Sequence, residues 1–281
     1  MKKCNFIKLK ESKFIVISGD DCKDFLQSIV TNDINKCDDN KSIYSCLLTP
    51  QGKFIADFFV TFYNDGYLIE INEKFFNDFI NKLKIYKLRS KIEIKENKSF
   101  LSIVVLENNL LEESSDKIIY FKDPRKENIG IKYYIKESIL NDVITKFNLN
   151  EINFKIYRQK LMRNLIPYSV EDLIVNKSLL LENNFQNINA IDWNKGCYIG
   201  QEITARMKYR SLLKKQIYAL KKISGSVKIG EILLDNNTNV GKVISFSDQY
   251  LLAMLKIESA EIKKGNKTSF KTSNNGVVNF L

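Results

Sequence analysis

Residues 194–210, NKGCYIGQEITARMKYR, hold the densest chemistry in the chain. Cys197 follows Lys195 by two positions and precedes Gly200 by three, and Gly200 can cap a helix that runs from Gln201 towards Arg210. Glu202 then falls in the first turn and Arg206, Lys208 and Arg210 towards the last, which suits the helix dipole at both ends. A cysteine just before a helix start and near a lysine lies in positive fields that favour its thiolate. Such a thiolate could act as a nucleophile, a redox-sensitive group or a soft ligand for iron or a cluster. The usual fate of a lone cysteine, however, is that of a small buried hydrophobe. Spacing alone leaves both readings open.

Between Lys195 and Lys222 stand eight basic residues and one acid, Glu202. This excess suits an anionic ligand tail, a phosphate backbone or an acidic protein face, or else a solvated basic surface. The stretch lacks the base-stacking aromatic sets and glycine-rich loops of nucleic-acid modules, which argues against direct nucleic-acid binding. Asp57 is an isolated acid in the apolar run FIADFFV. Period-2 alternation turns it to solvent by default, the other reading being a cavity.

The elements that must position these residues follow from periodicity. Residues 14–18 read as a strand ending at Gly19, followed by a helix carrying Phe25, Leu26, Ile29 and Val30. Three strands of an antiparallel meander follow between Ser42 and Ile71, divided at Thr49-Pro50-Gln51-Gly52 and at Asn64-Asp65-Gly66. Phe75, Phe76, Phe79, Ile80 and Leu83 share a helix face, and strands are expected at 91–95, 101–106, 117–121 and 131–135. A polar loop covers 107–116, helices cover 138–147 and 153–164, and the asparagine-rich 181–189 reads as a loop. Beyond Ser211, strands at 216–223, 240–245, 251–257 and 276–280 suggest a small all-β barrel or sandwich.

Composition narrows the chemistry. The 281 residues suit two or three domains. The chain has no histidine, so Ser-His and Cys-His nucleophilic machinery is excluded. Its five cysteines form no CxxC pair, which argues against a disulfide framework and against a metal site built by this chain alone. The net charge of +11 could signal an anionic partner, and lysine spread over the whole chain by compositional bias accounts for it equally well. No apolar run approaches the roughly 20 residues of a membrane span, and MKKCNFIKLK lacks a signal-peptide core, so a cytoplasmic protein is expected.

The run KGCYIGQE, followed by Thr204-Ala205-Arg206, closely resembles the signature of the YgfZ family, folate-binding proteins related to the T-protein of the glycine cleavage system. FLQSIVTNDI (25–34), LLTPQGKFIADFFV (47–60), YKLRSKIEI (86–94) and Asp123-Pro124-Arg125 extend the likeness along three quarters of the chain. The resemblance implies an α+β cloverleaf of subdomains around a channel for tetrahydrofolate. Residues 1–210 would form the folate-binding region, as two interleaved subdomains, and residues 211–281 a C-terminal β-barrel. It implies an accessory factor for assembly or repair of iron-sulfur clusters, serving cluster-dependent enzymes such as tRNA-modifying ones, with iron-sulfur client proteins or assembly machinery as partners.

Carried over, Cys197 is the functional thiol, and Lys195, Gly196, Tyr198, Gly200, Gln201, Glu202 and Arg206 form its setting. Tyr157 matches an aromatic position against the folate. The T-protein has two adjacent acids where this chain has Ala56-Asp57, which argues against an aminomethyltransferase. That enzyme, with Asp57 as acid or base, is the alternative reading. Leu165 stands where the family has a glycine, so the backbone there is expected to avoid positive φ.

Overall fold

A computed structural model describes residues 3–38, 41–107, 115–210 and 213–281. Most of the polar loop expected at 107–116 therefore lies outside the described residues. The chain forms two compact units, one from Met1–Phe154 with Ile188–Gln201, the other from Lys155–Asn187 with Glu202–Leu281.

The first unit holds β1 (Cys4–Leu9), β2 (Ser12–Ser18), α1 (Cys22–Ile29), β3 (Ile43–Leu48), β4 (Phe54–Tyr63), β5 (Gly66–Asn72), α2 (Glu73–Lys87), β6 (Glu93–Asn97), β7 (Phe100–Val105), β8 (Ile118–Lys122), β9 (Ile131–Lys136), α3 (Leu140–Lys146) and β10 (Leu149–Glu151). They build two five-stranded sheets, ordered β10-β1-β7-β9-β8 and β3-β4-β5-β2-β6. The expected meander is β3-β4-β5. Its second turn is tight because Asn64 and Asp65 both take positive φ, 46° and 57°, as a two-residue hairpin loop requires. Rings join the sheets: Phe14 of β2 meets Tyr134 of β9 edge-on, centroids 4.9 Å apart, and Phe59 of β4 meets Phe121 of β8 at 6.1 Å.

A charged pair lies inside this aromatic layer. Lys132 Nζ of β9 stands 2.7 Å from Glu70 Oε2 of β5, and both side chains are at most 5% exposed. The Tyr134 hydroxyl (3.1 Å) and the Ser12 hydroxyl (2.7 Å) also donate to the carboxylate. Burial opposes ionisation of Glu70, but Lys132 and these donors prevail and hold its pKa below the usual range.

The second unit opens with α4 (Phe154–Arg163) and α5 (Ser169–Asp172). Then come α6 (Gln201–Tyr209), β11 (Lys215–Ser224), β12 (Ile232–Asp235), β13 (Thr238–Ser247), β14 (Tyr250–Lys256), α7 (Ile257–Gly265), β15 (Phe270–Thr272) and β16 (Val277–Phe280). The strands close into a barrel ordered β11-β14-β13-β12-β15-β16. One guanidinium braces the unit. Arg158 Nη2 donates to both oxygens of Asp172, at 2.6 and 2.8 Å, and to Ser245 Oγ at 2.8 Å, while Nε donates to Glu171. α4, α5 and β13 are thereby tied at one buried point.

Two expectations fail here. Leu165 does take positive φ, 54°. Its side chain packs on Met162, Ile217 and Leu252, and its carbonyl accepts from Asn184 Nδ2 at 2.7 Å, so tertiary contacts offset the strain. The 181–189 stretch is no open loop: it forms two 3-10 turns, 181–183 and 185–188, with Phe185 fully buried. Its asparagines serve to reach positive φ, at Asn184 and Asn189.

Candidate functional site

In the first unit, the segment before α6 is laid across the end of α1. Thr31 Oγ1 donates to Ala190 O at 2.6 Å, Asn32 Nδ2 donates to Asn189 O at 2.8 Å, and Asp192 N donates to Thr31 O at 3.0 Å. Asp192 in turn accepts from Asn194 N at 2.7 Å and pairs with Lys36. Ile199 N donates to Ser28 O. The segment thus continues the hydrogen bonding that the end of α1 cannot complete within itself.

Lys195 is the central fixture. Its ammonium donates to the carbonyls of Gln27 (2.8 Å), Val30 (2.6 Å) and Asn32 (2.9 Å), using all three N–H groups at the negative end of α1. Nζ also stands 5.1 Å over the buried Tyr198 ring. Burial brings the Lys195 pKa down to about 8, against the pull of Asp33 and Asp192. The ammonium is therefore committed to carbonyls, whereas the sequence placed it as a field acting on the thiol.

Gly200 fixes the other end. Its φ is +83°, and a Cβ there would stand 2.5 Å from Thr49 O and 2.9 Å from Leu48 Cβ. Only glycine lets the segment lie this close to the Thr49–Gly52 turn. Gly196 differs, since an added Cβ would meet nothing within 4 Å.

Between these anchors Cys197 is exposed, whereas Cys4, Cys22, Cys37 and Cys46 are buried. Burial pushes the thiols of Cys22 and Cys46 up, and that of Cys37 up to about 12. The reading of Cys197 as a buried hydrophobe is thus set aside. α6 begins four residues later, and Glu202 pairs with Arg206 one turn along on its exposed surface.

Asp57 is half-buried rather than turned to solvent. Its Oδ2 accepts the Tyr44 hydroxyl at 2.6 Å. Around it lie Phe59, 5.1 Å from the Tyr44 ring, and Arg125, whose guanidinium stands 5.3 Å from the Tyr44 ring and 5.0 Å from Phe59. Arg125 is held by Asp123 through two hydrogen bonds, at 3.0 and 2.7 Å. This cluster of acid, phenol and stacked cation was missed in the sequence apart from Asp57 and the Asp123-Pro124-Arg125 turn. Tyr157 belongs to the second unit, on α4, and is 2% exposed.

No protein-family model matches the chain. Among curated proteins, it is 25% identical over 298 aligned positions to the "Iron-sulfur cluster assembly factor IBA57 homolog, mitochondrial" of Dictyostelium discoideum, covering 90% of this chain and 72% of that one. It is 29% identical over 231 positions to the Neurospora crassa protein of the same name, 75% of this chain and 52% of that one, so it spans about half the length of that relative. The "tRNA-modifying protein YgfZ" of Buchnera aphidicola subsp. Baizongia pistaciae is 26% identical over 277 positions, 90% of this chain and 84% of that one. In structure, the glycine cleavage system aminomethyltransferase T of Bartonella henselae superposes with a TM-score of 0.78 over 98% of this chain and 84% of its own, at 12% identity. The chain is thus similar in sequence to proteins named YgfZ and IBA57, and it has the fold of the glycine cleavage aminomethyltransferase.

Proposed function

We propose that this protein is an accessory factor for assembly or repair of iron-sulfur clusters, supporting cluster-dependent enzymes such as tRNA-modifying ones, with Cys197 as its working thiol. The single observation that carries this is the contrast among the cysteines: four are buried, and the fifth is exposed on a segment anchored at Lys195 and at Gly200. The names of the relatives agree with it. One thiol supplies one ligand, so the remaining ligands of any cluster come from a partner protein. Free thiols suit a reducing compartment, and we place the protein in the cytoplasm. No helix among the described residues is long and apolar enough to cross a membrane.

Reduced folate is the proposed small-molecule ligand. Within the first unit the donor set fits it: the half-buried Asp57 carboxylate, which accepts the Tyr44 hydroxyl, can also accept from the N–H edge of a pterin. Tyr157 would have to leave its buried position to stack on a ring. Bound tetrahydrofolate would supply one-carbon or reducing chemistry.

The test is replacement of Cys197 in a strain lacking its own relative of this chain. Cys197→Ser should fold, keep its folate affinity and fail to restore cluster-dependent enzyme activity. Full restoration would remove the thiol from the mechanism. Absence of tetrahydrofolate binding at millimolar concentration would remove the ligand.

A further inference from the structure

The chain leaves α2 through an unusual turn. Ser90 N donates to Lys87 O at 2.8 Å, closing a four-residue turn with Leu88 and Arg89 at its centre. Leu88 has φ 46° and ψ −112°. This is the first central position of a type II′ turn, ideally about +60° and −120°, where glycine is the usual occupant. A leucine there is strained by its own Cβ.

Strain of this kind persists when something compensates for it, as packing does at Leu165. At Leu88 no comparable packing is found among the described residues, since its side chain is 87% exposed. The turn is nevertheless held firmly: Lys91 N donates to Asp21 Oδ2 at 2.6 Å, and Ile92 N donates to Ser90 O at 2.9 Å. A braced backbone thus presents an apolar side chain outward in one fixed direction. Ile85, one turn earlier and 60% exposed, adds to the apolar surface. Lys84, Lys87, Arg89 and Lys91 flank it in sequence, and none of them forms a salt bridge among the described residues. Asp21 meets the turn at the Lys91 backbone.

We infer that the 84–91 turn is a docking knuckle, with Leu88 as its plug, for a protein that presents an apolar pocket within an acidic face. The basic residues supply the charge complement, and a well-packed apolar anchor inside a charged rim is the arrangement that concentrates binding energy. A fluid lipid surface gains nothing from one leucine held in a fixed direction. A nucleic acid would call for a stacking ring or a hydrogen-bonding group in its place.

The test introduces a benzophenone amino acid at Lys84 of the full chain in cells, with and without Leu88→Gly, and compares adducts with those from the same probe at exposed Ile262. A captured protein is then purified and titrated against the chain. The expected result is an acidic protein whose Kd weakens at least tenfold with Leu88→Gly, with Lys87→Glu plus Arg89→Glu, and with added salt, but within twofold is kept by Leu88→Met. Leu88→Gly should unfold at or above the temperature of the native chain and a few degrees above Leu88→Ala. The inference is overturned by no adduct beyond the Ile262 control, by adducts only to a second copy, to lipid or to RNA, or by a Kd indifferent to Leu88→Gly. It is equally overturned if Leu88→Gly unfolds below Leu88→Ala, which would place the role of the leucine inside the fold.

Discussion

The Lys195 ammonium donates to the Val30 carbonyl at 2.6 Å, 165 positions earlier in the chain, and to two further carbonyls beside it. The site segment is therefore a cap on α1, supplied from far along the sequence. Lys195→Met should leave three carbonyls without this donor and cost about 2–3 kcal/mol in urea denaturation at pH 7.

The same lysine carries a pH signature. Its folded pKa of about 8 lies below the unfolded value near 10.4, so the unfolded chain binds more protons between these pH values. Unfolding free energy contributed by this group then rises with pH across that window. The stability difference between the native chain and Lys195→Met should widen from pH 8 to pH 10, read by denaturation at each pH. A constant difference would refute the assignment.

Gly200 and Gly196 lie in one motif but have opposite tolerances. Gly200→Ala combines a positive φ with a backbone clash at 2.5 Å, and about 3 kcal/mol of stability should be lost. Gly196→Ala should stay within about 0.5 kcal/mol of native. Thermal denaturation of the two variants side by side checks the contrast.

Between the sheets, Glu70→Gln or Lys132→Met alone leaves a buried group without its counter-charge, and each should cost about 3–5 kcal/mol. The double variant should lose clearly less than the sum, since the two residues share one interaction. Chemical denaturation of the four-member cycle measures this.

Arg158→Lys keeps the charge but loses the fork that reaches both oxygens of Asp172 and Ser245. A loss of about 2 kcal/mol is expected: Tyr168 N still donates to Asp172 Oδ2, but one ammonium cannot reproduce the bonds to Asp172, Glu171 and Ser245 together. A variant as stable as the native chain would show that the fork is dispensable.

Much of the architecture was legible because alternation and turn residues are local signals. The β3-β4-β5 meander followed from Thr49-Pro50-Gln51-Gly52 and Asn64-Asp65-Gly66, and four of the six barrel strands followed from their spacing. β1, β10, β12 and β15 were missed: β10, β12 and β15 are only three or four residues long, and β1 pairs in parallel with β10 across more than a hundred residues. Both faces of β4 and β5 are buried, so polarity did not distinguish in from out. That is why Asp57 was read as facing solvent and why Glu70 and Lys132 went unnoticed. At the site, the sequence indicated Cys197 and Gly200 through the motif. It could not show that the Lys195 ammonium faces carbonyls, because that contact depends on the path of a segment 165 residues away.

The uneven burial of the cysteines also equips the protein with a gauge of its own folding. With four thiols sealed in the interior and one at the surface, a thiol-reactive dye should label the intact molecule once and the denatured molecule five times. The stoichiometry of labelling then counts unfolded molecules without any engineered probe, and the fast first equivalent reports on the site segment alone.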